Sequence, residues 1–593
     1  MNYQAPIKEM LFAMEHLAEI SKLTELPGFE DHGLDTASAV LEEAGKFCSE
    51  VLDPLNWDGD KTPSHFEGGH VSTTTGFKEA FAAFGQAGWQ GVIHPEEFGG
   101  QGLPKLIATA CSEMVNASNM SFALCPLLTD GAIEALLTAG SDELKTTFLP
   151  KMVSGEWTGT MNLTEPQAGS DLSLVRTRAQ PQEDGTYKIF GTKIFITYGE
   201  HDMAKNIVHL VLARTPDAPE GVKGISLFVV PKYLVNPDGS LGARNDVVCV
   251  SIEHKLGIKA SPTAVMQFGD QGGAIGYLVG QENHGLEYMF IMMNSARFAV
   301  GLQGVAIADR AYQKALAYAK DRKQSKDLMG SDGPVAIIEQ PDVKRMLMRM
   351  KALTQGARSL AYFAASLADM AHHHPDEQVR QTELALYEFL VPIVKGFSTE
   401  MSIEVASLGV QIHGGMGFIE ETGAAQYYRD ARILTIYEGT TAIQANDLVG
   451  RKTYRDRGLV AKQLAQRVRE LELELAKRDS LAARSMHESL ESARESFEAV
   501  VDYVCQDFKA DVKGVFAGSV PYLMLSGYLL CAWKMGKALI VSEDHMAEDE
   551  SFYTSKVATA RFYAEHLLST VPGLAQSILK GAGSVNELTP ELF

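Results

Sequence analysis

Residues 186–197, TYKIFGTKIFIT, belong to a series of short β-branched segments in the middle of an otherwise helical sequence. The segments NIVHLVLA (206–213), GISLFVV (224–230), DVVCVSIEH (246–254) and TAVMQF (263–268) follow, separated by turn residues. No helical pattern lies between them, so we expect about six strands, between about Thr158 and Val279, to pack on one another. The pattern predicts a small β-barrel or sandwich.

Both flanks of this β region have helical periodicity. From Pro6 to about Gly155, apolar residues recur at helical spacing, and glycine and proline separate the segments. The helical period returns at Gly285 and continues to Leu408 in long stretches free of proline. We therefore predict a mainly α protein with a central β-barrel. Its expected parts are an N-terminal helical domain (1–157), a middle β-barrel domain (158–283), a four-helix-bundle domain (284–450) and a C-terminal helical extension (451–593).

Composition and charge exclude several classes of protein. The 593 residues are 45% hydrophobic and 22% charged, which is ordinary for a globular protein and excludes wholesale disorder. A net charge of −22 argues against nucleic acid as a partner and makes membrane association unlikely. The six cysteines lie far apart without a C-x-x-C pair, which argues against zinc and disulfides and indicates a reducing compartment.

The N-terminal residues and the apolar stretches of the chain predict where in the cell the protein is located. The first 20 residues have neither a signal-peptide nor a transit-peptide composition, so we expect a cytoplasmic protein. The most apolar helical stretch, Leu286 to Val300, contains two charged residues and an asparagine, and we predict no transmembrane helix. The three consecutive histidines at 372–374 do not share one helix face, so we predict no metal site there.

Four motifs carry polar chemistry, although each has an ordinary structural explanation when it is taken alone. MNLTEPQAGSD (161–171) is a turn whose backbone N–H groups and hydroxyls can approach a polar ring or a phosphate. In KIFIT (193–197), Phe195 and Thr197 lie on the same face of a strand. QIHGGMGF (411–418) is glycine-rich without the lysine of a P-loop, and Glu438 in IYEGTTAIQ would by default be a surface carboxylate.

Taken together and in this order, the motifs resemble those of the acyl-CoA dehydrogenase family. The resemblance also includes PEEFGGQGLP (95–104), KLGIKASPT (255–263) and the segment from Asn294 to Gln324, and it spans roughly Gly85 to Gly450. It implies an N-terminal helical domain, a middle β-barrel and a four-helix bundle that assemble around FAD as dimers or tetramers. We expect a dimer.

The resemblance also implies the residues that contact FAD. The loop that begins at Met161 would contact the flavin. Phe195 would pack against the flavin ring in place of the usual tryptophan, and Thr197 would form a hydrogen bond near flavin N5. Arg322 would reach the pyrophosphate bound by a neighbouring subunit. The full set of implied cofactor residues is Met161, Thr164, Ser170, Phe195, Thr197, Arg322, Gln411, Gly415 and Thr440.

Glu438 matches the catalytic base of the family. The resemblance implies that its carboxylate removes the proton alpha to a thioester carbonyl while flavin N5 accepts the beta hydride, which yields a trans-2-enoyl-CoA. Some members carry the base immediately before the arginine that matches Arg297, but Ala296 at that position cannot accept a proton. The implied substrate-binding residues are Ser170, Asn294, Arg297, Tyr437 and Gly439.

The sequence leaves the substrate and the electron acceptor open. Terminal extensions like those of this chain are found in very-long-chain enzymes and in bacterial relatives that act on 3-(methylthio)propanoyl-CoA, and the opening YQAPIKEMLFAMEHL is most similar to the bacterial group. We therefore expect either a fatty acyl-CoA or 3-(methylthio)propanoyl-CoA as the substrate and electron-transfer flavoprotein as an acceptor. The alternatives are an acyl-CoA oxidase and a non-catalytic assembly or binding protein with this fold.

Overall fold

The structure is a computed structural model that describes residues 2–593. Its N-terminal part is helical, but residues 65–72 form a hairpin that the helical pattern did not predict. Gly68 and Gly69 both have positive φ, which suits the two-residue turn of a hairpin. The elements are α1 (Ile7–Phe12), α2 (Ile20–Leu23), α3 (Leu34–Phe47), α4 (Asp53–Lys61), β1 (His65–Glu67), β2 (His70–Ser72), α5 (Phe77–Gln86), α6 (Lys105–Ser118), α7 (Met120–Ala139) and α8 (Asp142–Val153).

The middle part is a sheet of eight strands in the order β10-β11-β5-β12-β7-β6-β3, with β4 paired to β5. All pairs are antiparallel except β3 with β6. The strands are β3 (Trp157–Asn162), β4 (Arg178–Pro181), β5 (Tyr187–Thr197), β6 (Asn206–Ala213), β7 (Ser226–Pro231), β8 (Tyr233–Val235), β9 (Leu241–Arg244), β10 (Val247–Ile252), β11 (Thr263–Phe268) and β12 (Ala274–Val279), of which β8 and β9 form a separate pair.

The predicted barrel does not close. Within residues 2–593 no ladder joins β10 to β3, which are the two ends of the sheet. Helix α7 covers the free edge of β3 instead: the Gly159 N–H donates to Thr129 Oγ1 at 3.0 Å, and a Cβ at Gly159 would lie 2.5 Å from Ala132 Cβ. The edge strand is therefore protected by a helix rather than by a further partner strand.

The helical bundle is built from α9 (Gly285–Asp321), α10 (Pro341–His373) and α11 (Glu377–His413), followed by α12 (Ala424–Ala431) and α13 (Thr441–Asp447). The helical backbone after α13 continues to Tyr454. Glycines bring α9 close to α11: a Cβ at Gly301 would lie 2.7 Å from Val394 O, and one at Gly304 would lie 2.4 Å from Ser398 O. The bundle that was predicted for this segment is confirmed.

The C-terminal extension is helical, as predicted, and lies against the bundle. Gly527 contacts the Phe397 ring, and Lys534 Nζ donates to Leu17 O at 3.2 Å, so the extension touches both α11 and the N-terminal segment. One continuous hydrophobic core joins these parts. The helices are α14 (Leu459–Leu475), α15 (Leu481–Asp507), α16 (Val512–Ala517), α17 (Ser519–Asp544), α18 (Glu550–Phe562) and α19 (Val571–Asn586).

Three helices among residues 2–593 are long and apolar enough to cross a membrane, by length and composition only. They are α7, α9 and α17, and in each of them most of the apolar window is buried inside the protein, at 78%, 67% and 72%. The stretch from Leu286 to Val300 is thus only the start of a helix of 37 residues. The apolar composition of all three helices is used in internal packing.

Candidate active site

Glu438 lies in a short connection between α12 and α13 with an unusual backbone. Its φ is +54°, and Gly439 follows at +86°. A left-handed conformation is uncommon for a residue with a side chain, costs about 1–3 kcal/mol, and is often found at functional sites. Thr440 then begins α13 by accepting a hydrogen bond from the Ile443 N–H at 3.3 Å. Glu438 is half-buried.

Lys395 holds this connection from the side of α11. Its ammonium group is fully buried and donates to Leu434 O at 2.8 Å and to Gly439 O at 2.7 Å, so its two bonds lie on either side of Glu438. Two charge-assisted bonds to backbone carbonyls stabilise a strained turn. The motifs did not identify Lys395. The available signal was a single lysine in the apolar run LVPIVKGF (390–397).

The electrostatics around Glu438 come from burial and two cations. Burial raises the pKa of Glu438 above its ordinary value, while Lys395 and Arg297 lower it, and the net shift is upward. Burial also lowers the pKa of Lys395 to about 8, against the opposing effect of Glu438. A carboxylate with a raised pKa is a better proton acceptor near neutral pH.

Predicted substrate residues converge on this connection. Arg297 on α9 is buried, and its guanidinium lies 3.7 Å from Asp447 Oδ2. Its Nε has no hydrogen-bond partner among residues 2–593, and Asn294 lies one turn earlier on the same helix. The Tyr437 hydroxyl donates to Gln303 Oε1. By contrast, Ser170 is exposed and lies in the 161–171 loop of the sheet domain.

The 161–171 loop starts at the end of β3, where Met161 lies, and continues through Thr164. A buried ion pair holds it. Lys193 Nζ donates to Glu165 Oε1 at 2.8 Å and to Leu163 O at 3.0 Å, and both side chains are almost fully buried. The Ile194 N–H donates to Thr164 O at 2.9 Å and fixes the loop to β5. The motifs did not predict the pairing of Glu165 with Lys193, although both residues lie inside them. They hold the loop in a defined shape.

Phe195 presents an open aromatic surface beside this loop. Its side chain is 59% exposed, whereas Ile196 is buried. Its φ is +58°, and the β5–β11 ladder has an irregularity there, because Lys193 pairs with Met266 and Ile196 with Ala264. A bulge of this kind reorients a side chain. An exposed ring, the Thr197 hydroxyl and a polar loop together fit a flat, polar ring system such as the flavin of FAD.

The KLGIKASPT motif connects the sheet domain to the segment that contains Glu438. The Ile258 N–H donates to the buried Asp430 carboxylate at 2.5 Å. A Cβ at Gly257 would lie 2.6 Å from the Arg429 backbone, so only glycine permits this approach. Arg429 in turn pairs with Asp60 of α4. These contacts fix the orientation of the segment that leads to Glu438.

Arg322, Gln411 and Gly415 lie at one end of the bundle. Tyr318 on α9 stacks on His413 of α11 at 4.4 Å between ring centroids, which brings Arg322 and the glycine-rich segment to the same end. All three residues are exposed, and no atom lies within 4 Å of a Cβ built on Gly415. Such an open surface has room for a ligand.

Family models match almost the whole chain. The matches are acyl-CoA dehydrogenase, N-terminal domain (35–156), middle domain (160–271) and C-terminal domain (283–452), and acetyl-CoA dehydrogenase C-terminal like (460–589). A 3-methylmercaptopropionyl-CoA dehydrogenase of Ruegeria pomeroyi is 55% identical over 96% of each chain. A broad-specificity linear acyl-CoA dehydrogenase of Mycobacterium tuberculosis is 32% identical over 100% of each chain.

A solved structure shares the fold. An acyl-CoA dehydrogenase complexed with FAD from Bacillus anthracis aligns with a TM-score of 0.75 and 24% identity over 96% of this chain and 91% of the other. The prediction of an FAD-dependent oxidoreductase that acts on CH–CH bonds of acyl-CoA thioesters is confirmed. The chain belongs to the acyl-CoA dehydrogenase family.

Proposed function

We propose that Glu438 is the base that removes the alpha proton of a bound acyl-CoA. The observation that carries this proposal is the position of its half-buried carboxyl, in a left-handed turn bracketed by the two hydrogen bonds of Lys395. Arg297 supplies a second positive charge beside the carboxylate and the enolate-like thioester that forms. Ala296, at the alternative position of the base, carries no acceptor.

The residues around Phe195 fit the flavin, and those around Gln411 fit the other end of FAD. When bound, FAD accepts the beta hydrogen of the acyl group as a hydride. Phe195 and Thr197 orient the ring, and the 161–171 loop supplies N–H groups and the hydroxyls of Thr164 and Ser170. Thr440 begins α13 next to the base. The ion pair of Lys193 and Glu165 keeps the loop fixed.

For the substrate, we propose a short thioether acyl-CoA, namely 3-(methylthio)propanoyl-CoA. Support comes from the 55% identity, over 96% of the chain, to a relative with that named activity. Straight fatty acyl-CoA is the alternative, since a relative named for broad linear specificity is 32% identical over the full length. Asn294, Arg297, Tyr437, Gly439 and Ser170 are the proposed contacts to the acyl-CoA.

For the assembly and the acceptor, we propose a homodimer and electron-transfer flavoprotein. The exposure of Arg322, Gln411 and Gly415 supports a second copy, because these residues can then complete the FAD site of a neighbouring subunit. Mass measurement of the purified flavoprotein tests the dimer. Oxygen consumption during turnover separates a dehydrogenase from an acyl-CoA oxidase.

The test of the function is anaerobic titration of the purified yellow protein with acyl-CoAs, followed by loss of the oxidised-flavin absorbance. We expect bleaching by 3-(methylthio)propanoyl-CoA in the native chain. Glu438→Gln should bind FAD normally but lose at least about 10³-fold in the rate of flavin reduction, because an amide cannot accept the proton. Substantial residual reduction in this variant refutes the assigned role, and a native protein that no thioester bleaches favours a binding protein.

A further inference from the structure

Arg297 has two acidic neighbours at the candidate active site, Glu438 and Asp447. Its Nη1 lies 3.7 Å from Asp447 Oδ2, and among residues 2–593 no other carboxylate oxygen lies within 4 Å of the guanidinium. At longer range, the charge of Arg297 lowers the pKa of Glu438. The arginine therefore acts on the proposed base without forming an ion pair with it, and its nearer partner is Asp447.

The pair of Arg297 and Asp447 is buried but not tightly bonded. The two side chains are only 7% and 12% exposed. Arginine and carboxylate groups usually bond at about 2.7–2.9 Å, often through two parallel hydrogen bonds. Here Arg297 Nε and Asp447 Oδ1 are both buried and have no hydrogen-bond partner among residues 2–593. Because an unsatisfied buried donor is costly, Arg297 would turn to another acceptor if the charge of Asp447 were lost.

Helix α13 connects Asp447 to the backbone of the base. Gln444 Nε2 donates to Glu438 O at 3.2 Å and to Gly439 O at 3.4 Å. Asp447 is the last residue of this helix and lies three positions after Gln444, so the two share a helix face. The same short helix thus holds the turn that contains Glu438 and carries the partner of Arg297.

Other charged groups act on this arrangement from two sides. Lys395 lowers the pKa of Glu438 from α11. Arg451 Nη1 lies 3.7 Å from Asp447 Oδ1, but its side chain is 62% exposed, so solvent screens its charge. The charged groups around the base and Arg297 are Lys395 and Glu400 on α11, Asp447 on α13, and Arg451. Arg297 is therefore the buried cation that two carboxylates share.

We propose that Asp447 is a positioning residue for the base, which holds Arg297 out of a direct ion pair with Glu438 and so leaves that carboxylate free to accept the alpha proton. This inference rests on the proposed function and deepens it. A direct ion pair with an arginine lowers the pKa of a carboxyl group by about 1–3 units. It would also occupy a carboxylate oxygen that has to receive the proton.

The first experiment removes the charge of Asp447. Asp447→Asn keeps the size of the side chain, and Arg297 should then turn to Glu438. The rise of the proton-removal rate with pH should move to lower pH by about one unit or more, and the plateau rate should fall because the base is weaker.

Proton removal is measured with (methylthio)acetyl-CoA. Its sulfur occupies the beta position, so it has acidic alpha protons but no beta hydrogen to transfer. NMR in deuterium oxide follows the exchange of the alpha protons, and the flavin stays oxidised.

Three further variants separate positioning from stability. Asp447→Glu keeps the charge and should restore the native pH midpoint. Arg451→Met removes the exposed competitor for Asp447, which should hold Arg297 more strongly and move the midpoint to higher pH. Glu472→Gln on α14 is the matched control, because it breaks another buried ion pair, with Arg494 at 2.8 Å. It should lower the thermal midpoint and leave the pH midpoint unchanged.

A native pH midpoint in Asp447→Asn, or a shift to higher pH, overturns the inference. If that variant does not fold, Arg451→Met decides: a shift to higher pH supports the inference, and an unchanged midpoint overturns it. Infrared titration of the Glu438 carboxyl, taken as the difference between each protein and its Glu438→Gln counterpart, gives the same midpoints without a ligand. A native protein that exchanges no alpha proton therefore counts against the proposed function, while the infrared midpoints still decide the inference.

Discussion

Lys395 is the side chain with the most influence on the proposed base. It bonds to carbonyls on both sides of Glu438, and its charge lowers the pKa of that carboxyl. Removing the charge in Lys395→Met should raise the pKa of Glu438 further, so the rise of the flavin-reduction rate with pH should move to higher pH. At pH values below that pKa, the rate should fall about tenfold for each pH unit by which the rise moves, as measured by stopped-flow reduction.

Lys395→Arg provides the matched comparison, since it keeps the positive charge but fits the two carbonyls less well. It should retain the native pH profile with a reduced rate. If Lys395→Met shows the native pH profile and loses only thermal stability, Lys395 is a structural residue alone and does not position the base.

At the scale of elements, strand β3 depends on two histidines that must stay neutral. Thr158 and Thr160 on β3 bond to His201 Nε2 at 2.9 Å and to His209 Nδ1 at 2.7 Å. Burial lowers the pKa of both histidines to about 3. The folded-state pKa of each histidine lies below the ordinary value of 6.5, so protonation favours the unfolded chain. The contribution of these two histidines to the free energy of unfolding is therefore fully present above pH 6.5 and is lost as the pH falls towards 3. Between pH 6.5 and 5 the loss should be about 2 kcal/mol per histidine.

The double variant His201→Gln with His209→Asn cannot become charged and should unfold at lower pH than the native chain. Trp157 on β3 is buried and reports the transition by fluorescence when the other three tryptophans are changed to phenylalanine. His70→Gln, at an exposed position on β2, should leave the acid midpoint unchanged. If the native chain and the double variant unfold at the same acid midpoint, the role given to His201 and His209 in acid unfolding is wrong.

At the scale of the whole molecule, the C-terminal extension is fixed to the bundle by close helix packing. A Cβ at Gly527 on α17 would lie 2.3 Å from ring atoms of Phe397 and 2.7 Å from its Cβ. Gly527→Ala should therefore lower the free energy of unfolding by about 1–3 kcal/mol and lower the thermal midpoint, although alanine favours a helix.

Gly581→Ala on α19 is the contrasting change, because nothing lies within 4 Å of a Cβ at that position. There the helix preference of alanine acts alone, and the thermal midpoint should stay the same or rise. If the thermal midpoint rises in both Gly527→Ala and Gly581→Ala, α17 does not pack closely on α11 in solution.

Much of the fold was predictable because periodicity records which side of a segment is buried. The helical flanks, the helical extension and five of the ten strands between Trp157 and Val279 (β5, β6, β7, β10 and β11) followed from apolar spacing. The hairpin at 65–72 and the open edge of β3 did not. Their strands are short, or their protection comes from a helix distant in sequence, as with Thr129 and Gly159.

Some residues of the candidate site were predictable from the sequence, and others were not. The motifs named Glu438, Arg297 and Phe195, because the residue types and their order resemble a family. The motifs did not name Lys395 or Gln303, whose roles depend on contacts across 44 and 134 positions of the chain.

By itself, the sequence determined the order of helical and β regions, the family and the identity of the proposed base. Only the tertiary structure decided which buried polar groups meet: the lysine that brackets Glu438, the ion pair beneath the 161–171 loop, and the hydrogen bond from Tyr437 to Gln303. Local spacing sets which face of an element avoids water. The partner of a buried donor or acceptor is set by the packing of whole elements, and each such group must find one when water is excluded.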